Sequence, residues 1–189
     1  MKNCLVVHGC PDNDEKQLLP ADRSYNKHWI LWIKEQLIAR GVPTDNPQLP
    51  DPWKKNYQEF KEVFEKYPVN SDSILIGHSC GCAFLVRWLG ESKQPIAKLI
   101  LVAPWKKADP DDINGPAFYD YEIDRAIASR VGEIIMFTSD NEEPEGKISL
   151  EMFQSALGGT IIDLPQHGHY TLNDLGTNEF PELLEAVLN

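Results

Sequence analysis

The chain has 189 residues, of which 42% are hydrophobic and 25% charged, the ordinary mix of a globular protein, and residues 1–189 are expected to form one domain. A formal net charge of −11 argues against a nucleic-acid binder or a protein that docks on anionic membrane, because both rely on basic patches. No apolar run is long enough to cross a membrane, and Cys4 to Val7 is far shorter than the core of a signal peptide, so a cytoplasmic location is expected.

Six short apolar runs alternate with helical patterns along the chain. A first strand over 3–7 leads into His8-Gly9-Cys10-Pro11, and a helix is expected over 27–40. A short, polar second strand (42–45) precedes a helix over 54–67. The third strand, 73–77, is continuously apolar from Ile74 to Ile76, as a parallel strand buried on both faces should be. It runs into Gly77-His78-Ser79-Cys80-Gly81, then a mostly apolar helix over 80–89, with Gly90 as its expected stop. A fourth strand (98–103), a helix (121–130), a fifth strand (133–138), a helix (147–157), a sixth strand (160–164) and a last helix (179–188) complete the order. Alternating elements of this kind predict an α/β fold, an open, mostly parallel, doubly wound sheet with helices on both faces.

Gly-x-Ser-x-Gly between a strand and a helix has a mechanical meaning. The sharp turn lifts the serine Oγ above the sheet, and the next backbone N–H and the helix N-terminus face any oxyanion formed there. Gly77 and Gly81 stand where strand and helix approach too closely for a side chain. Ser79 is therefore the candidate nucleophile. In an open α/β sheet the loops at the strand C-terminal ends build the site. After the fifth strand comes Ser139-Asp140, and after the sixth His167-Gly168-His169, so serine, acid and histidine stand in the order of α/β-hydrolases. Asp140 directly follows a strand end and is the expected acid, with Glu142 and Glu143 on the same loop as reserves. His169 is favoured over His167 as the base, since Gly168 lets the loop turn and present the ring inward. The amides of Cys80 and Cys10 are the expected oxyanion donors, Pro11 having no N–H. His28 is expected at the surface or as a cap, and His78 packed against neighbouring loops. Trp29 and Trp32 read as core of the first long helix, while Trp105 and Trp53, past strand ends, are candidate pocket walls.

The four cysteines, Cys4, Cys10, Cys80 and Cys82, fit reduced thiols, and an oxidation-sensitive Cys10 or Cys80 is the sharper alternative to two small residues tolerated at the site. No spacing suits zinc, so neither metal nor cofactor is expected.

Several stretches resemble one family, the small α/β-hydrolases of the YdeN type, related to the retinoblastoma-binding serine hydrolase. They are Val6-Val7-His8-Gly9, His28-Trp29-Ile30-Leu31-Trp32-Ile33-Lys34, Gly77-His78-Ser79-Cys80-Gly81-Cys82, Phe137-Thr138-Ser139-Asp140 and Gly168-His169-Tyr170. The resemblance implies a Ser79, Asp140, His169 triad and a reduced α/β-hydrolase fold with strand order 2-1-3-4-5-6 and no lid domain. Relatives tend to carry adjacent aspartates where this chain has Asp140-Asn141-Glu142-Glu143-Pro144. No Leu-x-Cys-x-Glu segment is present, so a retinoblastoma-binding role does not follow.

The expected function is a cofactor-free serine hydrolase, a carboxylesterase acting on small or surface-presented esters through an acyl-enzyme. The expected partner is thus a small-molecule ester, with no nucleic acid and no membrane. The alternatives are a non-catalytic scaffold that kept the fold, or a thioesterase or peptidase with the same triad.

Overall fold

Every second residue of the central strands faces the same side of the sheet, and this alternation divides the core in two. The computed structural model describes residues 2–11, 13–19, 21–108 and 114–189. Their six strands are β1 (Cys4–Val7), β2 (Thr44–Asp45), β3 (Ile74–His78), β4 (Ile96–Val102), β5 (Val131–Thr138) and β6 (Thr160–Asp163). They form one parallel sheet in the order β2-β1-β3-β4-β5-β6, as expected.

On one face Leu5, Val7, Leu75, Leu99, Leu101 and Met136 pack under α3 (Tyr57–Phe64), α4 (Cys80–Ser92) and α6 (Pro144–Leu157). Phe60, Phe64, Phe84 and Trp88 interlock there edge to face, an arrangement that rings favour over face-to-face stacking. On the other face Cys4, Val6, Ile74, Ile76, Ile100 and Phe137 pack under α2 (Trp29–Ala39) and α8 (Pro181–Leu188). Three shorter helices lie in connections: α1 (Asn13–Gln17), α5 (Gly115–Tyr119) and α7 (Leu172–Leu175). Among the described residues no helix is long and apolar enough to cross a membrane.

The chain leaves β1 toward β2 and then returns to β3 on the other side of β1. The sheet reverses its winding there, which opens a crevice between the C-terminal ends of β1 and β3. Ser79 sits at that crevice. A Cβ on Gly81 would lie 2.7 Å from the carbonyl oxygen of His8, and one on Gly77 would lie 2.9 Å from the Cα of Cys82. Both glycines are thus fixed by the close approach of α4 to β1 and β3.

Several boundaries differ from expectation, three of them as follows. Helix α4 runs through Gly90 to Ser92 and ends at Lys93, which adopts φ 57°. Helix α3 starts three residues late because Asn56 caps it, its Oδ1 accepting from the amides of Gln58 and Glu59. The helix expected over 121–130 is only a 3₁₀ segment, Arg125–Ser129, begun where Asp124 accepts from the amide of Ala126.

Candidate active site

Ser79 is the residue between β3 and α4, and its backbone is held at φ 52°, ψ −123°. A residue with a Cβ in that region carries on the order of 1–3 kcal/mol of strain, which persists only where the surroundings enforce it. Here they do: the Ser79 amide donates to the carbonyl of Val102 at the end of β4, and the Ser79 carbonyl accepts from the amides of Cys82 and Trp105. The strain aims Oγ into the crevice, where it lies 2.8 Å from Nε2 of His169.

The third partner is not the one expected. Nδ1 of His169 lies 3.0 Å from Oε2 and 3.1 Å from Oε1 of Glu142. Asp140 is exposed, and its Oδ1 accepts from the amide of Gln166 at 2.7 Å, a bond that holds its carboxyl below the ordinary aspartate value. The reason is a tight turn. The amide of Glu142 donates to the carbonyl of Ser139 at 3.1 Å, so the chain doubles back directly after β5. Asp140 lies on the outside of that turn and Glu142 returns beneath it. The Glu142 side chain is only 1% exposed, packed against the first turn of α6 and accepting from the amide of Glu143 at 2.8 Å. The second reserve acid, Glu143, is exposed at the cavity wall.

The acid loop is bonded to the histidine loop residue by residue. Asp140 Oδ1 accepts from Gln166 N, Ser139 Oγ from His167 N, and Asn141 Oδ1 from Gly168 N, while Glu142 meets the ring of His169. Ser139 Oγ donates in turn to Asn141 Oδ1 at 2.6 Å. Gly168 supplies the turn with φ 51°, and the His169 amide donates to Asp174 Oδ2 at 3.1 Å. His167 turns its Nδ1 to the carbonyl of Pro165 and takes no part in the contact with Ser79.

Two further residues hold the histidine loop from below. His78 Nε2 lies 2.8 Å from the carbonyl of His169, and Trp29 Nε1 donates at 2.9 Å to the carbonyl of Tyr170. His78 therefore carries its proton on Nε2. Burial, with His169 and His28 nearby, pushes its pKa well below the usual histidine value and keeps the ring neutral. His28 is neither exposed nor a side-chain cap. It is 3% exposed beside His78 and Trp29, and burial lowers it to about 4. Burial also lowers His8 to about 4, and its Nε2 accepts from the amide of Leu49. Apart from the His-Trp pair at the start of α2, nothing in the sequence singles out this bracing of the loop, because the partners are backbone carbonyls 91 and 141 residues away.

Cys80 follows Ser79 at the first position of α4, and Cys10 follows β1 across the crevice. Their sulfurs are joined in a disulfide with Cα atoms 5.7 Å apart, which corrects the expectation of four reduced thiols. Cys4 and Cys82 are free and buried, and burial raises both thiols. Among the described residues neither the Cys10 nor the Cys80 amide donates to a protein acceptor, so both remain open to a ligand.

The crevice opens into a cavity of about 920 Å³. Trp105 forms one wall, its ring edge-on to His169 with centroids 5.4 Å apart. Trp53, under the guanidinium of Arg23, forms another, and Tyr25 and Tyr119 also line the space. Trp32 is partly buried and, like Trp29, packs into the core.

The chain is similar to known hydrolases. It is 24% identical over 173 residues to YdeN of Bacillus subtilis, covering 87% of this chain and 88% of the other. The crystal structure of the ydeN product from B. subtilis superimposes with a TM-score of 0.84 at 19% identity, over 100% of this chain and 97% of that one. Est1E from Butyrivibrio proteoclasticus gives 0.57 at 15% identity, over 98% and 88%. The family described as Serine hydrolase matches residues 21–188, a span that holds the serine turn, the acid loop and the histidine loop, and the chain belongs to that family.

Proposed function

We propose that the protein is a carboxylesterase in which Ser79, His169 and Glu142 form the triad. The observation that carries this is the continuous chain Ser79 Oγ, His169 Nε2, His169 Nδ1, Glu142 carboxylate, with each contact at 2.8–3.1 Å. Glu142 keeps the proton on Nδ1 and leaves Nε2 free to take the serine proton as Oγ attacks the ester carbonyl. The tetrahedral oxyanion is met by the amides of Cys80 and Cys10. His169 then returns the proton to the leaving alcohol, and water, activated by the same ring, releases the acid from Ser79.

The strained backbone of Ser79 favours an enzyme over a scaffold that merely kept the fold, since a scaffold gains nothing from that strain. An open cavity with aromatic walls favours an ester of modest size. A structure of Est1E holds ferulic acid, an aromatic acid, in a related fold. The cytoplasmic location expected from the sequence belongs to the same proposal. In that compartment a permanent disulfide is uncommon but a transient one is not.

The test is a fluorophosphonate probe together with p-nitrophenyl esters from acetate to octanoate. Wild type should label and turn over the shorter esters, and Ser79→Ala should do neither. Absence of labelling on folded wild type would sink the enzyme reading.

A further inference from the structure

The disulfide joins the two residues whose amides the proposed mechanism uses as oxyanion donors. Each end is held differently. Cys80 is 1% exposed and lies in the first turn of a 13-residue helix, whose position is set by the contact of Gly81 with the carbonyls of Val7 and His8. That packing does not involve sulfur. On the other side, Gly9 lies against the serine turn so closely that a Cβ there would be 3.1 Å from both Nδ1 of His78 and Cβ of Ser79. Cys10 is the first residue beyond this contact. Among the described residues no hydrogen bond holds its backbone, and it is followed by Pro11. Its other ties are the bond of the preceding carbonyl, Gly9 O, with His8 Nδ1 and its partial packing against the core, and the bridge to Cys80 is the tie that reaches α4.

Access is also unequal. Both cysteines line the cavity, but Cys10 is partly exposed whereas Cys80 is only 1% exposed. A nucleophile entering the cavity reaches Cys10 first. The sulfur that must then leave, that of Cys80, sits at the positive end of α4, where a thiolate is favoured.

We propose that the Cys10–Cys80 bridge is an exchange site for dithiols, and that opening it slows acylation of Ser79 by releasing the Cys10 amide. A thiolate of the dithiol attacks Cys10 Sγ, the bond between the two cysteine sulfurs breaks, and the Cys80 sulfur departs with the electron pair and takes up a proton. The second thiol of the reductant attacks its own sulfur in the mixed disulfide and frees Cys10 as a thiol. The bridge gains two electrons and two protons, and the dithiol becomes a disulfide. The fold stays intact because the contacts of Gly9 and Gly81 persist. The effect on acylation rests on the esterase reading above, while the exchange itself does not.

The experiment starts from protein equilibrated with oxidised glutathione and treats it with dithiothreitol under native conditions. It reads the intact mass after iodoacetamide and the rate of fluorophosphonate labelling. Native alkylation should add a group on the partly exposed Cys10, and alkylation after denaturation should rise from two groups before dithiothreitol, on Cys4 and Cys82, to four after it. The labelling rate should fall by about 10²-fold, the effect of losing one oxyanion donor, and recover on reoxidation. Cys10→Ser should label at the slow rate with or without dithiothreitol. No mass gain after dithiothreitol, or four alkylated cysteines in the untreated, denatured protein, overturns the exchange site. Reduction of the bridge shown by mass with an unchanged labelling rate overturns the control of acylation, as does Cys10→Ser labelling at the fast rate. Absence of labelling in the oxidised protein counts against the esterase reading, and the mass still decides the exchange.

Discussion

Glu142 reaches His169 from inside a turn, while Asp140, two residues earlier and next to the strand end, points away. The two acids should therefore respond unequally to isosteric replacement. Glu142→Gln keeps the shape but no longer fixes the proton on Nδ1, so kcat on p-nitrophenyl acetate should fall on the order of 10²–10⁴-fold. Asp140→Asn should lower it less than about tenfold, since only a loop hydrogen bond is weakened. The reverse ranking would show that the carboxylate at His169 is not the one that works.

Asn141 should act on rate without acting on substrate affinity. Its Oδ1 accepts from Gly168 N and Ser139 Oγ, and so joins the acid loop to the residue before His169. Asn141→Ala removes that acceptor and should reduce kcat by about tenfold with KM within a factor of two, because the imidazole loses its fixed angle. A raised KM at constant kcat would instead place Asn141 in contact with the substrate.

Trp29 should matter through its N–H as well as its ring. Trp29→Phe keeps a large apolar group in a fully buried position but leaves the carbonyl of Tyr170 without its donor. Urea unfolding should show a loss of about 1–3 kcal/mol. A change within error would mean that the neighbouring backbone recovers the bond.

The buried histidines make a pH prediction. His8 and His28 are lowered to about 4, and His78 well below its usual value, each chiefly by burial. In the unfolded chain each titrates near 6.5. Between about pH 4 and 6.5 the unfolded chain thus binds more protons, so stability is fully present above 6.5 and declines as pH falls through that window. Each histidine contributes up to about 1.4 kcal/mol per pH unit within it. Urea midpoints at pH 7, 6 and 5 should fall monotonically, and a flat profile would mean that these rings are hydrated.

Much of this was legible in the sequence. The alternation of strands and helices and the position of the serine turn follow from apolar runs and chain order, the strand order from the resemblance to the YdeN-type family, and the place of His169 rather than His167 beside Ser79 from the turn that Gly168 allows. The carboxylate beside His169 is Glu142 and not the expected Asp140, because position after a strand predicts where a loop begins and not which side of a four-residue turn faces inward. The hydrogen bond from Glu142 N to Ser139 O decides that, and any of several residue combinations could have made it. The disulfide was hidden for a similar reason: Cys10 and Cys80 are 70 residues apart, and only the pairing of β1 with β3 brings them together. His28 looked like a surface residue because its burial depends on His78 and Trp29 meeting above it.

The matched bonding of residues 139–142 with residues 166–169 has a consequence for any attempt to reshape this protein. The two segments behave like the halves of a zip. Inserting or deleting one residue in either half would set each remaining acceptor opposite the wrong amide and swing the imidazole off the serine. A graft from a relative must carry both halves together, along with the spacing of α6 and β6 between them, whereas the cavity wall around Trp53 stands outside the zip and can be exchanged one residue at a time.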